Sequence, residues 1–212
     1  MTKKGIIFDL DGVICFTDEY HYLAWKEMAD GMGVYFDREI NNRLRGVSRM
    51  ASLEIILARY TGPALTNGEK EALATKKNDI YRKLLSRMSP ADLSDDVKTT
   101  LDALRAKGLK LAIGSSSKNA PFILERIGLA GYFDAISDGN NISRSKPNPE
   151  VFLKAAEFLG LQPIDCLVVE DAIAGAEAGH AGGFTVACVG DASDAKAGDH
   201  NLDCFSSLLE VL

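Results

Sequence analysis

The sequence predicts an α/β fold, a Rossmann-like parallel sheet core with an inserted helical cap domain, and three observations carry that expectation. Short apolar runs of strand length alternate with amphipathic helical patterns, the signature of parallel strands joined by helical crossovers. Polar and acidic residues follow the ends of these runs, where ligands gather on an open parallel sheet. The stretch between the first run and the second, which begins at Leu109, is far longer than an ordinary connection and reads as helical, so it is an insertion.

The first strand is Gly5-Ile6-Ile7-Phe8, buried on both faces, and it delivers Asp9 and Asp11 at i and i+2. Gly12 lets the chain turn as it leaves the sheet, so both acids can face one pocket. Such a pair repels until one member protonates, shares a hard cation such as Mg²⁺, or caps a turn. Helices are expected at about 17–32, 37–44, 50–59 and 67–88, broken at Gly31-Met32-Gly33, Gly46 and Thr61-Gly62-Pro63. The predicted domains are therefore a core of 1–16 and 89–212 and a cap of 17–88, with hinges near 15–18 and 89–93. An insertion that starts directly after the acid pair must sit above the strand ends as a lid.

In the core, Ser94 or Asp95 caps a helix through about Lys107, with Val97, Leu101 and Leu104 at helical spacing. Strands follow at 109–114, 133–137, 166–169 and 184–189. A helix begins near Ala120-Pro121, another near Pro149 with Val151, Phe152, Ala155, Ala156 and Leu159 on its apolar side, and an Ala- and Gly-rich one spans 172–181.

Composition narrows the function. The 212 residues are 46% apolar and 25% charged, a globular balance, and the net charge is -6 with Lys and Arg interspersed among acids. Neither nucleic acid nor an anionic membrane has an electrostatic claim on such a surface. No signal peptide and no apolar run of bilayer length is evident, which makes a reducing cytoplasm the expectation. Cys15, Cys166, Cys188 and Cys204 lack C-x-x-C spacing and read as small buried hydrophobes, with a reactive thiol at Cys15 as the alternative.

The strand ends carry the chemistry. Ser115-Ser116-Ser117-Lys118-Asn119 leads into a helix and suits a phosphate, or is a hydroxyl-rich turn with a cap. Lys146, between Ser145 and Pro147-Asn148-Pro149, is presented by a stiff segment and is either a phosphoryl neutraliser or a surface cation. Glu170-Asp171 places acids at the same edge as Asp9, where Asp171 either completes a metal site or caps the following helix. In the insertion, His21 and Trp25 share a helical face and fit a core pair or a ligand wall. Arg49 fits a surface cation or an anion contact. Lys77 lies on the apolar stripe of Leu73, Ile80 and Leu84, where an unpaired ammonium is costly, so it faces an anion or snorkels.

A strand-end D-x-D, then Ser, Lys and Glu-Asp in that order, with a helical insertion after the first, resembles the haloacid dehalogenase superfamily over nearly the whole chain. Within it, Tyr20-His21 with Trp25, Leu44-Arg45-Gly46-Val47-Ser48-Arg49 with Ser52, Lys77-Asn78-Asp79, Ser89-Pro90-Ala91-Asp92 and Ser117-Lys118-Asn119 resemble the β-phosphoglucomutase group.

That resemblance implies a Mg²⁺-dependent phosphomutase acting on a small sugar phosphate as a monomer. It implies Asp9 as nucleophile and Asp11 as acid and base, with Ser115 and Lys146 at the transferring phosphoryl group. Mg²⁺ would sit on Asp9, the backbone carbonyl of Asp11 and Asp171, with Glu170 nearby. Arg49, Ser117, Lys118 and Asn119 would grip a second, nontransferring phosphate; His21 and Lys77 would couple closure to Asp11; Trp25, Gly46, Val47 and Ser52 would complete the substrate wall. Two departures stand out: Cys15-Phe16 replaces a polar Thr-Asp before the hinge Thr17, and Ser116 replaces the usual alanine. The competing readings are a sugar-phosphate phosphatase on the same scaffold and a phosphorylatable receiver module. The receiver has its nucleophile after a middle strand and no helical insert.

Overall fold

The computed structural model describes residues 3–45 and 47–212; Gly46, one of the expected substrate-wall residues, lies outside them. β1 (Gly5–Phe8) is followed by four helices, α1 (Asp18–Gly31), α2 (Arg38–Asn42), α3 (Arg49–Leu57) and α4 (Asn67–Leu85). The chain then alternates through α5 (Asp95–Ala106), β2 (Lys110–Gly114), α6 (Ala120–Arg126), β3 (Ala135–Ser137), α7 (Glu150–Leu159), β4 (Cys166–Glu170), α8 (Ile173–Ala181), β5 (Thr185–Cys188), α9 (Gly190–Asp194) and β6 (His200–Asn201). The strands form one sheet in the order β3-β2-β1-β4-β5-β6, every pairing parallel.

The register explains the convergence of the polar strand ends. Phe8 pairs with Ile113 on one side and Val169 on the other, so the next residues, Asp9, Gly114-Ser115 and Glu170, emerge side by side. β1 is fully buried because it is central. Ile6 and Phe8 pack toward α5, α6 and the C-terminal 3₁₀ turn Phe205–Glu210, whereas Ile7 packs toward α7 and α8, as the two-residue period of a strand requires. Val151, Phe152, Ala155 and Ala156 of α7 fill that second face.

The α1–α4 segment has a core of its own, built from Trp25, Met28, Phe36, Ile40, Leu53, Ile56 and Ala74. Its helices are set by local signals. Asp37 accepts from the Ile40 N–H at 2.9 Å, Ser48 from Ala51 at 3.3 Å, and Thr66 with Glu69 forms a reciprocal capping box. α2 and α4 end earlier than their apolar patterns suggest, at Asn42 and Leu85, and Arg49 is the first residue of α3. In the core, Ser94 rather than Asp95 is the cap of α5, accepting from Val97 at 3.2 Å.

Cys15, Cys166 and Cys188 are buried, and burial pushes the Cys15 thiol well up, away from reactivity. Cys204 differs from expectation: it is exposed, because it precedes the final 3₁₀ turn instead of lying in a strand. Among the described residues no helix is long and apolar enough to cross a membrane.

Candidate active site

The carboxyl edge of the sheet and the underside of α1, α3 and α4 enclose a cavity of about 600 Å³. Asp9 and Asp11 line it with Ser115, Lys146, Glu170 and Asp171 on one side and His21, Arg49 and Lys77 on the other.

On the sheet side one ammonium faces a cluster of acids. Lys146 Nζ donates to Asp9 Oδ1 at 2.5 Å and to Glu170 Oε1 at 2.5 Å, and lies 4.7 Å from the centroid of the Phe152 ring. Its side chain is 3% exposed, so it is no surface cation. Burial opposes its charge, but Asp9 and Glu170 outweigh burial and raise its pKa. It is therefore a fixed positive charge at the strand ends.

Glu170 resolves the alternative left open for Asp171. Glu170 Oε2 accepts from the backbone N–H groups of Asp171 and Ala172, both at 2.8 Å, and so holds the turn that leads into α8, whose N-cap position, Ala172, has no side-chain cap. The Asp171 side chain makes no cap and turns into the cavity instead. Two glycines make room. A Cβ on Gly12, which has φ of +90°, would stand 2.1 Å from Asp171 Oδ2, and one on Gly175 would stand 1.8 Å from Glu170 Oε1.

Asp9, Glu170 and Asp171 each offer a carboxylate oxygen, all within 4.8 Å of one another. Burial pushes Asp9 well above the carboxylate range against the pull of Lys146, and burial with the Glu170 charge pushes Asp171 up to about 7. Lys146, even with the partly exposed Arg45 guanidinium 3.4 Å from Asp171, leaves the three buried acids incompletely neutralised. The donor set, hard oxygens crowded in a partly uncompensated negative site, fits a divalent cation.

Asp11 is held apart from this cluster. It accepts from Thr17 Oγ1, and Thr17 in turn accepts from the buried Tyr81 hydroxyl at 3.1 Å. Burial raises the Asp11 pKa, the Thr17 bond working against the rise. The two acids of the D-x-D thus have different partners and different protonation behaviour, as an acid/base pair needs.

Across the cavity, Lys77 is 2% exposed and makes no salt bridge among the described residues. Its Nζ lies 2.8 Å from His21 Nδ1, 4.7 Å from the Trp25 ring and 4.5 Å from the Tyr81 ring. Burial, then the Arg49 charge, lowers its pKa well below the usual value, and burial with Lys77 does the same to His21. A wall that withholds protons when dry and regains them beside an anion suits a charged ligand. Trp25 is both core and wall: 2% exposed within the cap core, with its ring face near Lys77. Val47 and Ser52 also line the cavity.

The hydroxyl-rich loop after β2 behaves partly as a turn. Ser115 Oγ accepts from Ser117 N at 3.1 Å, and Ser117 Oγ from Asn119 N at 3.2 Å. Ser115 is 2% exposed, Asn119 is buried and Lys118 exposed. Arg49 Nη2 donates to Asn78 Oδ1 at 2.8 Å.

Sequence reasoning missed several residues here. Tyr81 sits one helical turn beyond Lys77, and that i+4 spacing was the available signal; Asn78 stood in the Lys77-Asn78-Asp79 string but had no role there. Arg45 pairs with Asp171 at 3.4 Å and with Asp191, crossing from the cap to α9; nothing local marks that pair. The missed Asp191 lies in α9, a helix of five residues.

Comparison with known proteins agrees with this geometry. A model of the haloacid dehalogenase-like hydrolase family matches residues 3–183. The chain is 43% identical over 189 residues to β-phosphoglucomutase of Bacillus subtilis, covering 88% of this chain and 83% of that protein. It is 32% identical over 181 residues to a fructose-1-phosphate phosphatase of Escherichia coli, covering 85% and 93%. The crystal structure of β-phosphoglucomutase from Clostridium difficile superposes with a TM-score of 0.91 at 33% identity, covering 98% of this chain and 93% of that one.

Proposed function

The chain belongs to the haloacid dehalogenase-like hydrolases and is an enzyme; from that premise we propose that it is a β-phosphoglucomutase, interconverting β-D-glucose 1-phosphate and glucose 6-phosphate through β-glucose 1,6-bisphosphate. The observation that supports this most is the built cap wall of His21, Lys77 and Arg49 facing Asp11, together with 43% identity to the Bacillus subtilis enzyme.

In the proposed reaction an Asp9 oxygen attacks the phosphorus of the sugar bisphosphate, forming an aspartyl phosphate as the bond to the sugar oxygen breaks. Asp11, whose pKa is raised by burial, gives its proton to that leaving oxygen. The glucose 6-phosphate so formed leaves and β-glucose 1-phosphate enters; its 6-hydroxyl gives its proton to Asp11 and takes the phosphoryl group from Asp9, and the resulting bisphosphate reorients to present its C1 phosphate to Asp9 for the next turn. Lys146 and Ser115 stand at the transferring group, where a fixed ammonium and a hydroxyl balance charge without reorganisation. Asp9 and Asp171, the Asp11 carbonyl and nearby Glu170 would hold Mg²⁺, which supplies positive charge to the phosphoryl oxygens. Arg49, Ser117, Lys118 and Asn119 take the phosphate that stays on the sugar, with Trp25, Val47 and Ser52 shaping the wall. Residues 17–88 act as the lid that excludes water, and the enzyme works as a cytoplasmic monomer.

The direct test of the covalent step is mass spectrometry of protein quenched in acid after exposure to β-glucose 1,6-bisphosphate. A phosphoryl adduct on the peptide containing Asp9 is expected; an adduct elsewhere, or none in protein that turns over, contradicts it. The Escherichia coli phosphatase relative favours a second reading, hydrolysis of the same aspartyl phosphate by water.

The metal proposal has a pH signature. Asp171 with a pKa of about 7 is protonated below that pH, so a cation must displace a proton to bind. Mg²⁺ affinity measured by calorimetry should therefore weaken as pH falls from about 8 to 6, by up to about tenfold per unit for each proton displaced. An affinity flat across that range would remove Asp171 as a ligand.

A further inference from the structure

Among the described residues, Asn78 is the side chain that hydrogen-bonds to both halves of the anion wall. Its Oδ1 accepts from Arg49 Nη2 of α3 at 2.8 Å and from Asn119 Nδ2, at the start of α6, at 3.0 Å. The other end of the Asn119 amide is also fixed, since its Oδ1 accepts from Arg82 Nη1 at 3.2 Å, and the Arg82 guanidinium stacks 4.5 Å from the Phe122 centroid. The network Arg49–Asn78–Asn119–Arg82 therefore runs from cap to core and back through two amides.

Its chemistry is selective. The hydrogen bonds that orient the Arg49 and Arg82 guanidinium groups and the Asn119 amide N–H all go to neutral amide oxygens, and neither Arg49 nor Arg82 forms a salt bridge among the described residues. A carboxylate in place of Asn78 would hold Arg49 in the same position but neutralise it. An amide holds it and leaves its charge for a ligand.

We propose that Asn78 is a positioning residue that assembles the binding site for the nontransferring phosphate of the sugar, by locking Arg49 of the cap to Asn119 of the core with their charge and donors unneutralised. This inference rests on the sugar-phosphate reading above and adds to it a residue that need not touch substrate. Arg82 supports the same site from behind, through Asn119.

The experiment is calorimetric binding of glucose 6-phosphate to the intact protein with Mg²⁺, and steady-state kinetics with β-glucose 1,6-bisphosphate, for wild type, Asn78→Ala and Asn78→Asp. Asn78→Asp keeps the size and an acceptor oxygen, so a merely structural role would leave it close to wild type. The inference expects the reverse: Asn78→Asp weakens glucose 6-phosphate binding about tenfold, through neutralisation of Arg49 in a partly buried site, and Asn78→Ala weakens it several-fold. In both variants the loss should fall on KM more than on kcat. Binding by Asn78→Asp equal to wild type, or losses confined to kcat, overturns the role of Asn78. Wild-type protein that fails to bind glucose 6-phosphate at all overturns the sugar-phosphate reading itself.

Discussion

Asp9→Asn should abolish turnover, with kcat falling by about 10⁴-fold or more, as when a covalent nucleophile is removed. The substitution keeps shape and an acceptor oxygen for Lys146 Nζ, and the Asp9 N–H still bonds to the Val169 carbonyl at 2.9 Å, so the strand end stays in place. What is lost is the anionic oxygen proposed to bond to phosphorus and one candidate cation ligand. Phosphate release and glucose 6-phosphate formation should vanish together, since both readings of the phosphoenzyme pass through Asp9. Folding is checked by circular dichroism. Activity that survives the substitution would mean that another group makes the first bond.

Lys146→Met should damage both stability and rate. Methionine retains the packing over Phe152 and removes only the ammonium, which leaves Asp9 and Glu170 buried without their partner. Breaking a buried ion pair from one side costs about 3–5 kcal/mol, because the abandoned charge stays desolvated. Metal-free Lys146→Met should thus unfold at clearly lower denaturant concentration than metal-free wild type, and saturating Mg²⁺ should recover part of the difference by supplying the missing positive charge. Its kcat should fall by about 10²–10³-fold even with Mg²⁺, the loss typical of one preorganised charge-stabilising donor. An unchanged denaturation midpoint would show that the acids protonate at little cost and do not depend on Lys146.

Much of this was legible in the chain because it is local. The apolar run before Asp9, the glycine after Asp11, the hydroxyl run after β2 and the acids after β4 are each a strand followed by a turn, and a parallel sheet brings all such ends to one edge whatever the details of packing. Lys77 was conspicuous for a physical reason, a cation on an apolar stripe, and the structure buries it. The choices that depended on distant partners were not legible. Asp171 and Glu170 are equally good acids for the turn before α8, and only the folded chain shows that Glu170, close against Gly175, bonds its backbone while Asp171 lines the cavity. Arg45 and Asp191 are far apart in sequence, one in the turn between α2 and α3 and the other in the five-residue α9, and neither carries a pattern. Likewise β6 has two residues, His200 and Asn201, too few for a period-two signal, and it forms because β5 offers an edge to pair with.

Arg45 bears on how the lid and the cation site communicate. Its guanidinium reaches Asp171, which is also one of the clustered acids, and Asp191 on the opposite rim. Together with the Asn78–Asn119 bond it joins cap and core on two sides of the cavity. The hinge side is built differently, with Cys15 buried and Phe16 exposed where the family usually has Thr-Asp. The proposed preference for sugar over water as acceptor therefore depends on the contacts that hold the closed lid, more than on the acids, which a phosphatase would share.

That preference is measured by a coupled assay that follows glucose 6-phosphate and inorganic phosphate in the same reaction, started from β-glucose 1-phosphate with Mg²⁺ and a priming amount of β-glucose 1,6-bisphosphate. The mutase account predicts sustained glucose 6-phosphate formation with phosphate release a small fraction of it, and loss of both in Asp9→Asn. Phosphate as the only product, with no glucose 6-phosphate, would contradict the account and make the protein a sugar-phosphate phosphatase.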